Sequence, residues 1–147
     1  MNVVAETEAA SEASAAAAAT NATTAQAKPA QPCIKIHNFS DEFMDTPIYF
    51  QVTCLQDSYL IWMGTCLPRL ADLCVAVPTR YDTLPSASTL LGEGYVSDFS
   101  SVLAQRLAKR LKGMVFISCN TDQRFAELEV FMERRLVQEL KALSILK

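Results

Sequence analysis

The side chains able to do chemistry are few and scattered. His37 is the only histidine in the 147 residues, and neither a Ser nor a Cys nucleophile motif accompanies it. A general base needs a nucleophile or a substrate proton within reach, so His37 reads as a strand residue on a partly exposed sheet. Five cysteines, at positions 33, 54, 66, 74 and 119, form no Cys-x-x-Cys pair. That spacing suits reduced thiols packed as small hydrophobes and does not suit a zinc site, to which only His37 could add a nitrogen. Gly92-Glu93-Gly94-Tyr95-Val96-Ser97 approaches the phosphate-cradling G-x-G-x-x-G pattern. Ser97 stands where the third glycine belongs, and Glu93 would repel a pyrophosphate, so the segment is expected to be a connector. Catalytic, cofactor and metal residues are therefore expected to be absent.

One charged cluster remains. Arg106, Lys109, Arg110 and Lys112 crowd the end of an amphipathic segment. Cations near a helix C-terminus are favoured by its dipole whether or not they bind anything, but Arg106, Lys109 and Arg110 could also dock an acidic partner surface. Nucleic acid is not the expected partner. The net charge is −3, and setting aside Glu6, Glu8, Glu12 and Lys28 leaves the remainder close to neutral, without a basic footprint. No segment approaches the ~20 apolar residues of a membrane span, so no membrane partner is expected either.

Two strands with apolar residues on both faces dominate the pattern. Tyr59-Leu60-Ile61-Trp62-Met63 and Leu73-Cys74-Val75-Ala76-Val77 hardly alternate, whereas a half-solvated sheet reads apolar-polar-apolar. Only two amphipathic helices follow. Each is roughly 10 Å wide, enough to roof one face of a modest sheet.

The expected elements are strands over 33–39, 46–55, 59–65, 70–77 and 87–91, a helix capped by Ser97-Asp98 and stopped at Gly113, a strand over 114–120, and a last helix capped by Thr121-Asp122. The fold class is α+β: a six-stranded, mostly antiparallel meander with two helices on one face and the other face free for dimerisation. Residues 1–32 are alanine-rich and lack aromatics, so they are expected to form a disordered tail before a single domain over 33–147. The tail has neither the apolar run of a secretory signal nor the arginines of a transit peptide, which makes Asn21-Ala22-Thr23 and Asn38-Phe39-Ser40 chance sequons.

Pairing of 46–55 with 59–65 through a two- or four-residue turn sets Val52 opposite Ile61 and Gln51 opposite Trp62. Ile48, Phe50, Val52, Tyr59, Ile61 and Met63 then share one face. Continuing through a four-residue loop at 66–69 adds Cys74 and Ala76 to it. The other face carries Tyr49, Gln51, Thr53, Leu60, Trp62, Leu73, Val75 and Val77. A polar edge, an apolar middle and an aromatic anchor fit a protein interface. Trp62 is expected near its centre, flanked by Leu60, Leu73 and Val75, with Tyr49 also touching the partner.

Several segments in order carry a resemblance: His37-Asn38-Phe39-Ser40, Asp57-Ser58-Tyr59-Leu60-Ile61-Trp62-Met63-Gly64, Arg80-Tyr81-Asp82-Thr83-Leu84-Pro85, Ser88-Thr89-Leu90-Leu91-Gly92 and Leu103-Ala104-Gln105-Arg106-Leu107-Ala108-Lys109. The chain resembles the proteasome assembly chaperone 4 family from about Cys33 to the last helix. The resemblance implies a non-enzymatic chaperone that pairs with proteasome assembly chaperone 3. The heterodimer would promote assembly of the 20S core α-subunit ring by contacting α-type subunits, and leave as β subunits join. It also implies stacking of sheet on sheet in that dimer. The expected compartment is the cytoplasm, with the nucleus as a second. The competing expectation is a homodimeric adaptor of the same layout.

Overall fold

The computed structural model describes residues 33–65, 69–92, 98–122 and 125–146. The expected tail 1–32, Cys66 and the Glu93–Ser97 part of the glycine segment lie outside the described residues.

Six strands and two helices follow the expected order: β1 Lys35–Phe43, β2 Thr46–Cys54, β3 Ser58–Gly64, β4 Leu73–Val77, β5 Ser86–Leu91, α1 Asp98–Leu111, β6 Met114–Asn120 and α2 Ala126–Ala142. β1 runs four residues past its expected end. Phe39 and Phe43 keep the alternation going, Phe39 stacked on Phe50 at 4.7 Å and Phe43 tilted against Phe131 at 5.0 Å. The chain then reverses within Met44-Asp45, both at positive φ, 46° and 61°. A two-residue hairpin turn of this hand matches the twist of the flanking strands.

The sheet is not a meander. Its order is β1-β2-β3-β6-β4-β5, so β6 enters between β3 and β4. It runs parallel to β3 and antiparallel to β4, and the other pairings are antiparallel. The β5–α1–β6 crossover produces this insertion, because a helix spans the distance back over the sheet that a short turn cannot. The expected 66–69 hairpin joining β3 to β4 therefore does not exist. Its parity nevertheless survives, carried by β6. Ile61 pairs with Ile117, which pairs with Cys74, and all three are fully buried.

Both helices cover one face. α1 buries Leu103, Ala104, Leu107 and Ala108, and α2 buries Leu128, Met132, Leu136 and Leu140. They meet Ile48, Phe50, Val52, Ile61, Met63, Ala76, Val115 and Ile117 in one core. Each fully buried Val, Leu, Ile, Phe or Met side chain there contributes ~1.5–3 kcal/mol. Arg106 ties the helices together, its Nη1 donating to both Glu133 carboxylate oxygens at 2.9 Å. Arg135 binds Asp41 on β1 at 2.8 Å while its guanidinium lies 5.4 Å from the Phe39 ring centre.

Two helix boundaries differ from expectation. Lys112, not Gly113, takes the left-handed conformation that ends α1, with φ 54°. Gly113 serves a close approach instead: a Cβ there would sit 3.2 Å from the Asp57 carbonyl oxygen. At α2, Thr121-Asp122 is not the cap. Phe125 occupies that position and makes no side-chain capping bond, leaving Glu127 and Glu129 in the first turn to offset the dipole.

Candidate partner interface

The face of the sheet away from the helices is built by alternation. Wherever a strand buries one side chain under the helices, its neighbours point outward. Pairing aligns these outward residues into rows. One row runs from Thr53 through Leu60 and Phe116 to Val75 and Ser88. The next begins Gln51, Trp62, Ser118. Beyond them, Tyr49 pairs with Gly64 and Leu73 with Leu91.

The two faces differ sharply in burial. Ile61, Met63, Val115, Ile117, Cys74 and Ala76 are wholly inaccessible. Leu60, Trp62, Phe116, Leu73 and Val75 occupy equally central strands but are only half-buried. Tyr49, Val77 and Leu91 are exposed, at 48, 37 and 45 %. Side chains from five strands thus present a contiguous apolar surface that nothing in the described chain roofs.

The sequence expectation placed Tyr49, Leu60, Trp62, Leu73 and Val75 on this surface, and the structure brings all five to it. Their arrangement differs. β6 separates Trp62 and Leu60 from Leu73 and Val75, so Phe116 rather than Trp62 holds the middle of the row. Phe116 escaped the sequence reasoning because its strand had no known neighbours. The apolar alternation Val115, Ile117, Cys119 against Phe116 was visible, but not the strands it would join.

Trp62 is fixed from two sides. Its indole N–H donates to the Arg69 carbonyl at 2.8 Å, and its six-membered ring lies across Gly64. The segment after residue 68 is held against this end of the sheet. The Ala71 N–H donates to Asn120 Oδ1 at 3.1 Å, and Asn120 Nδ2 donates to Ser118 Oγ at 2.8 Å. On the helix side, the Ser100 hydroxyl donates to the buried Asp72 carboxylate at 3.1 Å.

The remaining candidates are placed as follows. Lys109 and Arg110 are exposed on the last turn of α1. Arg106 is engaged with Glu133. His37 is half-buried on β1 opposite Val52. Among the described residues no three His, Cys, Asp or Glu side chains converge into a metal cluster, and no helix is long and apolar enough to cross a membrane. The Cys74 and Cys54 thiols are both pushed upward in pKa, chiefly by burial. For Cys74 a hydrogen bond with Thr89 opposes the shift and the Asp72 charge adds to it; for Cys54 the Lys35 charge opposes it. Raised thiols are poor nucleophiles at neutral pH.

A six-stranded sheet roofed by two helices on one side, with an aromatic and aliphatic opposite face left open among the described residues, defines the α+β class to which this chain belongs. A family model described as proteasome assembly chaperone 4 matches residues 47–121, the stretch from β2 to β6 that supplies most of this face. Human proteasome assembly chaperone 4 is 36 % identical over 110 residues, 74 % of this chain and 87 % of the human protein. The mouse protein of the same name is 35 % identical over 109 residues, 74 % of this chain and 86 % of its own length. The chain belongs to the proteasome assembly chaperone 4 family. A chain from the crystal structure of a chaperone complex for yeast 20S proteasome assembly matches with a TM-score of 0.62 at 12 % identity, covering 76 % of this chain and 98 % of that one. At that identity the likeness concerns the fold.

Proposed function

We propose that this chain is one half of a chaperone heterodimer with proteasome assembly chaperone 3. The pair promotes assembly of the α-subunit ring of the 20S core particle and departs as β subunits join. It acts by binding, without catalysis, in the cytoplasm and the nucleus. The carrying observation is the unroofed face centred on Leu60, Phe116 and Val75 beside Trp62. Its apolar middle and polar margin are what a stable protein interface requires, and stacking a second sheet on it would remove those side chains from water. The names of the human and mouse relatives support the proteasome role. Of the Arg106, Lys109 and Arg110 cluster, Lys109 and Arg110, exposed on the last turn of α1, are the residues we assign to the α subunit, Arg106 being held by Glu133.

Co-expression with proteasome assembly chaperone 3, followed by native mass spectrometry, tests the pairing. A one-to-one complex that accelerates α-ring formation in a reconstituted assembly reaction is the expected result. A chain that forms only homodimers, and leaves α-ring formation unchanged, would instead describe a homodimeric adaptor. Charge reversal at Lys109 and Arg110 should slow association with α subunits and weaken its salt dependence, while pairing with the sister chaperone persists.

A further inference from the structure

The unroofed face is not uniformly flat. A hollow of about 510 Å3 opens on its β1–β3 side, lined by Tyr49, Gln51, Leu60, Trp62, Arg69 and Leu70 among others. We infer that this hollow is the seat for an apolar side chain of the partner protein that is flanked by a carboxylate, so that the partner is held by a knob and an ion pair together. The inference rests on the outer face being the pairing surface and adds what the partner must present there.

Two of the side-chain donors around the hollow are engaged within the chain. The Gln51 side-chain amide donates to Asn38 Oδ1 at 3.1 Å, and the indole N–H of Trp62 is taken by the Arg69 carbonyl. An incoming group meets the apolar surface of Tyr49, Leu60, Trp62 and Leu70, the last 49 % exposed, and at its margin the exposed cationic residue Arg69. Arg69 is exposed and makes no ion pair among the described residues. A cation beside an apolar recess is complemented by an acid beside an apolar knob. Partial desolvation on docking would strengthen that pair relative to one in open water.

A small molecule would fit the volume but would leave Phe116, Val75 and Leu73 uncovered. A protein knob covers the recess and the flat part in one contact. Trp62, already locked by the Arg69 carbonyl and by Gly64, gives up little side-chain entropy when the knob arrives. Such rigid aromatic walls mark the few contacts that carry most of an interface's energy.

The test uses the purified complex with proteasome assembly chaperone 3 and three variants, each checked for native circular dichroism. Val75→Asp, outside the hollow, tests the face itself and is expected to weaken pairing strongly. Gln51→Phe fills the hollow and should weaken pairing tenfold or more. Arg69→Glu should weaken it by a similar factor and flatten the salt dependence of Kd. A photoreactive benzoylphenylalanine in place of Tyr49, an aromatic residue already exposed at the wall of the hollow, should crosslink to an apolar partner residue within a few positions of an Asp or Glu. If Val75→Asp breaks pairing while Gln51→Phe leaves it intact, the face is the interface and the seat is refuted. Loss in Gln51→Phe with none in Arg69→Glu, or a crosslink far from any acid, overturns the acidic flank. Wild-type affinity in a folded Val75→Asp variant overturns the face reading and the seat with it.

Discussion

Trp62 lies across Gly64 so closely that a Cβ at position 64 would come within 2.7 Å of Cζ2 and 2.9 Å of Cη2 of the indole. The same Cβ would stand 2.8 Å from the Asn120 carbonyl oxygen, which is backbone and cannot step aside cheaply. Gly64→Ala should therefore lift the indole off its seat, strain the β3–β6 end and cost ~1–3 kcal/mol of stability. Because Trp62 is the single tryptophan, intrinsic fluorescence reports the displacement directly. A shift in emission with loss of pairing affinity is expected. An unchanged spectrum at unchanged stability would show that the ring does not occupy this position.

Phe116 holds the middle of the outer row, between Leu60 and Val75. Phe116→Ala should affect pairing more than folding, because the ring is half-buried in the single chain and would be fully buried only against a partner. Truncating a central interface aromatic typically costs ~2 kcal/mol or more. Calorimetric titration against the sister chaperone should show an affinity loss, and urea unfolding of the isolated variant a smaller change. The reverse order would place Phe116 in the fold rather than in the interface.

Lys112 ends α1 at φ 54°. A side chain in that conformation crowds the following carbonyl, at a cost of ~1–2 kcal/mol that glycine avoids. Part of the gain is returned through the greater freedom of glycine in the unfolded chain. Lys112→Gly should thus stabilise the domain by about 0.5–1 kcal/mol, read as a higher unfolding midpoint. A lower midpoint would mean that the Lys112 side chain contributes more by packing than its backbone costs.

The Cys74 and Cys54 thiols should make stability fall in alkali. Burial raises both above their unfolded values, so the folded state holds these protons where the unfolded state has released them. The contribution is complete below the ordinary thiol range and is lost as pH rises through it toward the folded values. Urea midpoints measured from neutral pH to about pH 10, spanning the ordinary thiol pKa, should decline. Cys74→Ala combined with Cys54→Ala should flatten that decline. An equal slope in both proteins would assign it to other groups.

Residues 46–64 were legible because the chemistry there is local. The Gln56-Asp57 turn and the apolar alternation set Val52 against Ile61 and Gln51 against Trp62 without help from distant residues. The same alternation assigned Ile48, Phe50, Cys74 and Ala76 to the covered face, and Tyr49, Leu60, Trp62, Leu73 and Val75 to the other. A period of two depends only on backbone geometry. Two helices likewise suffice for one face only, and among the described residues the other face has no roof.

Strand order is another matter. β6 reads the same whether it lies at an edge or in the middle, since its apolar residues record that it is covered and not what lies beside it. Only the packing of α1 over β4 and β6 returns the chain to the gap between β3 and β4. That insertion puts Phe116 at the centre and moves Leu73 and Val75 one strand away from Trp62. The fit of Trp62 over Gly64, the hollow beside Arg69 and the pairing of Arg106 with Glu133 arise the same way. Each depends on side chains brought together by the whole fold, and their separations are set by the twist and spacing of six strands rather than by any interval along the chain.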